Sequence, residues 1–398
     1  MPARRGGRLS PRFASLSLAA IALLSSGAAW SQTVEDRITL RGAYFREAST
    51  RVVQPMLQVT KALPRSFDVS GHLLLDAISS ASIAQGAITD EVFTEKRYEG
   101  GLAVGWTDSL LRLGGFLRYS REPDYFSHTA GVSASREVWG RTGTIGLNLA
   151  FTHDDIEPRP PLVPRDLDVW FAGLSYAQVI TPTTLAQAGY ELYYLNGFYG
   201  NPYISHPNLG REDLPETRVR HALSLHVAQY FPGPALGLQL HYRFYFDQES
   251  FTSTDPWGLT SQTIEGRLYK TLGDHLEVRL SYRYHGQGRA DFWCNARAEI
   301  GCYGMMPEYH SWDVKFGGLK THLPELKIIW DMHGLAGVPA LAWLAGGSIE
   351  VSYGYLFETT PYGQPFTDKN APPIIGKLPF TRSHGGAHLI QTGYSLPF

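Results

Sequence analysis

The residues of this chain best able to do chemistry are ionised, and they recur at every second position. In His275–His285, Glu277, Arg279, Arg283 and His285 alternate with Leu276, Val278, Leu280, Tyr282 and Tyr284. In an extended strand a spacing of two puts side chains on one face, so one face here is charged and the other apolar. The same parity runs through other segments and collects a set of arginines: Arg37, Arg41, Arg97, Arg112, Arg118, Arg218, Arg220, Arg243, Arg267, Arg279 and Arg283. Its acidic counterparts are Glu95, Glu99, Glu191, Glu265, Glu277 and Glu350. If these faces line an aqueous lumen, their chemistry is electrostatic selection of solutes, and the excess of arginine points to a weak anion preference. Catalysis is not expected. His221, His226, His241 and His285 sit among strand residues, with no recognisable nucleophile beside them. Cys294 and Cys302 share one polar stretch and are expected to form a disulfide, two thiols being too few for a metal site. No cofactor is expected.

The elements that must position these charges are strands. Alternating segments recur along the chain, among them 236–246, 144–152, 111–119 and 348–357. About 16 such segments can be counted, an even number that suits an antiparallel up-and-down transmembrane β-barrel. The expected strands centre near residues 40, 57, 71, 99, 115, 131, 148, 173, 190, 223, 240, 264, 280, 314, 352 and 392. Links mostly alternate between short ones, such as Thr107-Asp108-Ser109 and Leu272-Gly273-Asp274, and long ones, such as 196–216 and 286–309. Tight turns at one end and long loops at the other would produce that alternation, and a soluble sandwich has no comparable reason for it. Two links break the rule. Arg46–Arg51 is short where a loop belongs, and 320–343 is long where a turn belongs, with room for a short helix or a misread strand pair. Aromatics near the strand ends form two sets: Trp106, Trp139, Tyr230, Tyr269 and Phe398 at the turn end, and Tyr44, Tyr119, Tyr194, Phe246 and Tyr284 at the loop end. Interfacial girdles would look like this.

The termini and composition fit the same architecture. Arg4, Arg5, Arg8 and Arg12 precede an apolar run from Phe13 to Leu24 and small residues near Ala29-Trp30-Ser31, the pattern of a cleaved signal peptide over residues 1–31. Residues 32–398 are then expected to form a single barrel domain in a Gram-negative outer membrane. At the C-terminus Ile390, Tyr394, Leu396 and Phe398 share one parity, and Tyr394, Leu396 and Phe398 form the ending by which barrel assembly machinery is expected to recognise such a chain. Hydrophobic content of 43% with 18% charge is unremarkable in total, as two averaged faces should be. A formal charge of −2 gives no reason to expect nucleic acid.

The stretch from Thr39 to Pro55 resembles the opening of a bacterial family, domain of unknown function 3570, whose members are predicted outer-membrane barrels. Asp76–Ser82, then Asp90, Glu91, Glu95 and Arg97, are similar to its next signature, and Ala387–Phe398 to its ending. The resemblance implies the barrel fold over nearly the whole mature chain and supplies no catalytic or ligand residues. The expected function is a porin-like channel or transporter for small polar solutes. The alternative is a structural or partner-binding envelope barrel with an occluded lumen, docking an envelope protein through its loops. The partners implied are outer-membrane lipid and the assembly machinery.

Overall fold

The computed structural model describes residues 34–47, 50–81, 92–157, 163–198, 200, 205–206, 210–251, 257–293, 308–311, 313–364 and 382–398. The signal peptide over 1–31 and the Cys294–Cys302 pair lie outside these residues.

The strands are β1 (Arg37–Arg46), β2 (Thr50–Leu63), β3 (Phe67–Ala81), β4 (Val92–Thr107), β5 (Leu111–Glu122), β6 (Tyr125–Val138), β7 (Gly143–Ile156), β8 (Arg165–Thr181) and β9 (Thr184–Gly197). They continue as β10 (Ser205–His206), β11 (Gly210–Arg211), β12 (Thr217–Phe231), β13 (Leu236–Gln248), β14 (Thr260–Leu272), β15 (Leu276–Gln287), β16 (Leu319–Asp331), β17 (Ser348–Gln364) and β18 (Arg382–Pro397). All but β10 and β11, a small hairpin in a loop, pair antiparallel with their chain neighbours into one closed barrel of 16 strands. The seam is β1 against β18, in register from Arg37↔Pro397 through Leu40↔Tyr394 to Arg46↔His388. Closure leaves the 16 barrel strands, among the described residues, without a free edge, as a β-structure needs if lipid surrounds it.

Burial in this barrel is inverted relative to a water-soluble protein. Leu73, Leu102 and Leu117 are 64–66% exposed on the outside, whereas Glu95, Glu99 and Asp76 are 2–6% exposed inside. A leucine left in water forgoes about 1.5–3 kcal/mol relative to an apolar surrounding. The outer wall repeats that exposure on strand after strand, with Leu225, Leu240, Leu280, Ile328 and Val351 among the residues involved. Such a band calls for an apolar solvent.

Short turns join the strands at one end, including residues 64–66, 108–110 and 182–183, and Gly273 supplies the positive φ of 61° in the 273–275 turn. Long links gather at the other end. Two loop-end links are short: 47–49, as expected, and Pro123-Asp124.

The largest departure from expectation lies near the C-terminal third. No strand centres on residue 314; Val314–Phe316 is a 3-10 turn, and β16 occupies Leu319–Asp331, inside the stretch expected to be a turn. The misplacement traces to Pro324, which reads as a strand breaker. It sits on the outward face of β16, pairs with Tyr282 on β15, and interrupts the ladder to β17, which skips from His322↔Phe357 to Glu325↔Gly354. Proline has no N–H to offer, so one ladder gives way while the strand continues. Pro55 does the same on β2, where pairing with β3 skips from Val53↔Ala77 to Met56↔Leu74. The true connection after β16 is residues 332–347, which hold two short 3-10 turns, Met332–Gly337 and Ala342–Leu344.

Aromatics mark both rims. At the loop end Phe151, Trp170, Tyr194 and Phe251 form a chain of ring contacts at 5.1, 5.7 and 6.2 Å. At the turn end Trp139 meets Tyr176 edge-on at 5.4 Å. Tyr269 does not belong to that girdle. It points inward, donating to Gln239 at 2.8 Å beneath the guanidinium of Arg279.

Candidate functional site

The site is the lumen, and its lining follows from strand parity. All seventeen charged residues anticipated to face inward share the inner face of their strands, but they are not equivalent. On β13–β15 and their neighbours the charges form pairs that water reaches. Arg243 binds Glu191 at 3.1 Å, Arg279 binds Glu277 at 3.1 Å and Arg267 binds Glu265 at 2.5 Å. The side chains of Glu277 and Glu191 keep 35% and 33% of their surface accessible, and Arg283 on β15 is exposed. Arg112, paired with Asp68 at 2.9 Å, and Glu350, paired with Lys327 at 2.6 Å, extend this accessible set. Arg37 and Arg41 are exposed on β1, where Arg37 reaches Glu35 at 2.9 Å.

The opposite wall is packed. Glu95, Arg97 and Glu99 on β4 are buried, with Arg97 against Asp76 at 2.6 Å and His72 against Glu99 at 3.2 Å. Carboxylate oxygens of Glu95, Glu122 and Asp124 converge within 4.8 Å of one another near the loop end, and Tyr125 donates to Asp154 at 2.5 Å beside them. Arg118 reaches Thr129 at 3.3 Å on the same wall. In the order of strands around the barrel, β5 and β14 stand about half a circumference apart, so an acid-rich wall faces an arginine-rich one.

Further acids on the inner faces are Asp68, Asp76, Glu122, Glu137, Asp154, Asp247, Glu325 and Glu358, joined by Asp124 in the link after β5. With them the inward charges come closer to balance, which removes the basis for an anion preference by count. The parity signal for Asp68 and Asp76 was present on β3. Glu325 and Lys327 escape the parity reading because they lie on β16, in a stretch whose pattern suggests a connection. His221 points outward, stacked on Phe246 at 4.5 Å and bonded to Tyr190 at 2.7 Å. His226, His241 and His285 face the lumen.

At the loop end, segments after β13 and β15 fold into a cap. Trp257, Leu259, Ala290, Phe292, Trp293 and Phe316 form an apolar cluster, with Leu214, Tyr245 and Tyr309 packed against it. The inward-facing Arg218 anchors the cap, its guanidinium 4.0 Å from the Trp257 ring centroid and its Nε 2.9 Å from Asp247. Trp257 donates its indole N–H to the Thr217 carbonyl at 3.0 Å, and Trp293 donates to that of Asp313 at 2.8 Å. Because Arg218 and Tyr245 lie on inner faces, the cap leans over the lumen beside β12–β14.

A closed antiparallel barrel with an apolar outer band and an ionised interior defines the class: an up-and-down β-barrel of the outer-membrane type. The family described as "Protein of unknown function (DUF3570)" is matched by residues 164–340, from the start of β8 into the connection after β16. The resemblance therefore holds, though over the middle of the chain rather than through its opening strands. Among solved structures, a bacterial polysaccharide outer membrane secretin matches with a TM-score of 0.49 and 10% identity, covering 92% of this chain and 99% of that one. The siderophore receptor PirA from Pseudomonas aeruginosa matches at 0.47 and 9%, over 91% of this chain but only 62% of the receptor. OprD from Pseudomonas aeruginosa matches at 0.41 and 9%, over 91% and 94%. At such identities nothing about cargo passes from those proteins to this one. No curated protein matches the chain.

Proposed function

We propose that this barrel is a porin-like channel for small polar solutes in the outer membrane of a Gram-negative bacterium, its turns toward the periplasm and its loops outside. The observation that carries this reading is the set of water-accessible ion pairs along the arginine-rich wall, above all Arg279–Glu277 and Arg243–Glu191. Ionised pairs kept wet inside a wall whose outside is apolar are what an aqueous path requires. A sealed interior would desolvate them at a cost of several kcal/mol per ion. Charges of opposite excess on facing walls set a transverse field, which orders dipolar solutes as they pass. The reading assigns the chain no catalysis. It takes Tyr394, Leu396 and Phe398 as the segment offered to the assembly machinery.

The experiment is single-channel recording of the folded protein in planar bilayers. Discrete conductance steps are expected, and larger ones when Trp257→Ala loosens the cap. Correctly folded protein that never conducts, with or without that substitution, would overturn the channel. The cap favours one second reading, an occluded barrel that docks an envelope protein through its loops. That reading expects no conductance and a specific adduct on crosslinking in whole cells.

A further inference from the structure

One level of the lumen carries a row of metal-ligand types. Across β9, β12, β13, β14 and β15 the register reads Gln187↔His226↔His241↔Glu265↔Arg283, each residue directly opposite the next. The paired inner-face residues are therefore two imidazoles and a carboxylate on three consecutive strands. The His226 and His241 rings lie 6.2 Å apart, edge to face at 65°.

We propose that His226 and His241, with Glu265 as third ligand, form a lumenal binding site for a divalent transition-metal ion. Directly opposed residues on neighbouring strands have Cβ atoms about 4.5–5.5 Å apart, a span one ion can bridge. With metal–nitrogen bonds of about 2.1 Å and tetrahedral angles, two imidazole centroids sit roughly 5.3 Å apart. The observed ring centroids stand about 1 Å farther apart than that, so binding requires the two side chains to rotate toward each other. Both rings are half-buried, so they are held by neighbours yet open to the lumen. Arg267 grips one Glu265 oxygen at 2.5 Å, as an outer partner does when it orients a ligating carboxylate.

The surrounding charges decide which ion fits. Arg243, Arg267 and Arg283 face this level together with Glu191, Glu265 and Glu325, so there is no net negative field to gather cations in general. Affinity must come from the imidazole nitrogens. That selects Zn²⁺, Cu²⁺ or Ni²⁺ and rejects Mg²⁺ and Ca²⁺, which prefer all-oxygen shells.

The test uses the full barrel, purified without a histidine tag and folded in detergent micelles. Zn²⁺ titrated by calorimetry is expected to bind at least tenfold more tightly to the native chain than to His226→Ala or His241→Ala. The double variant should be no weaker than either single one, because each removes the same bridge. Glu265→Gln should weaken binding less. Cu²⁺ paramagnetic resonance should show nitrogen coupling from two imidazoles in the native chain and from at most one in either single variant. Zn²⁺ affinity unchanged in the double variant, a copper signal without two imidazoles, or equal competition by Mg²⁺ would each overturn the site. Heat-modifiable gel migration identifies the folded variants, and His226→Gln with His241→Gln replaces the alanines where these do not fold. The site rests on the lumen being wet, but its failure is separable from that of the channel. Conductance in chelator-treated buffer tests the path alone, and binding in micelles tests the ligands alone.

Discussion

At the scale of single residues, the most consequential contact is one that faces the lumen without lining it. Arg218 and Asp247 are both nearly inaccessible, and the guanidinium is pressed between that carboxylate and the face of Trp257. Removing one partner of a buried pair strands the other's charge, at a typical cost of about 3–5 kcal/mol. Arg218→Ala is expected to lower stability by about that amount and to release the cap, read as a shift of the urea midpoint in lipid vesicles together with faster proteolysis at 288–293. Loss of less than about 1 kcal/mol would mean the pair is not desolvated as drawn. A milder residue effect sits just before β1, against the end of β2. Asp36 accepts from Lys61 and from the Ala62 N–H at 2.7 Å, and those hydrogen bonds, the Lys61 one foremost, hold its carboxyl below the ordinary value of 3.8. A carboxylate with a depressed folded value stabilises above its unfolded value and loses that contribution as pH falls through the folded one. Asp36→Asn should therefore melt slightly below the native chain near neutrality, with the gap closing as pH falls below about 4. A gap independent of pH would refute the assignment.

At the scale of elements, the C-terminal strand and the seam act together. Phe398 donates its backbone N–H to the Asp36 carbonyl at 3.0 Å, and Lys61 lies 4.9 Å over the Phe398 ring centroid. These contacts fasten the last residue to the first strand, yet the ring is largely exposed, so little stability is tied to it. Removing Phe398 is expected to cut the amount of assembled barrel in cells several-fold while leaving the melting point of refolded protein nearly unchanged. An equal loss in both would assign the residue to stability alone. The strands themselves were largely legible, because an apolar outer face against a charged inner one prints a period of two on the sequence. β15 shows it without interruption. β16 escaped because Pro324 interrupts the pattern at the strand's middle, and the barrel accommodates it with a two-residue gap in the ladder to β17. The cap was not legible either. Trp257, Phe292 and Phe316 come together from two loops distant in sequence, and no local spacing announces such a meeting. The same holds for the His226–His241–Glu265 row, since parity gives the face but only the register gives the level.

At the scale of the whole molecule, the two walls should contribute unequally to ion preference. A charge buried in a pair acts on a passing ion weakly, whereas an exposed one acts through water with a reach set by salt. The acid-rich wall of β3–β7 is largely buried, its Glu95, Glu99 and Asp76 closed off by neighbours, while Arg283 and Arg267 on the facing wall are open. Selectivity should thus follow the exposed arginines even though the inward charges nearly balance. Arg283→Gln is expected to shift the reversal potential toward cations in a salt gradient around 0.1 M, where the screening length is about 10 Å, and to do so far less near 1 M, where it is about 3 Å. Glu99→Gln, a change on the packed wall, should move it little at either concentration. An equal shift from both substitutions would mean that the two walls are equally wet. No shift from Arg283→Gln at low salt would mean that ions do not pass between the walls.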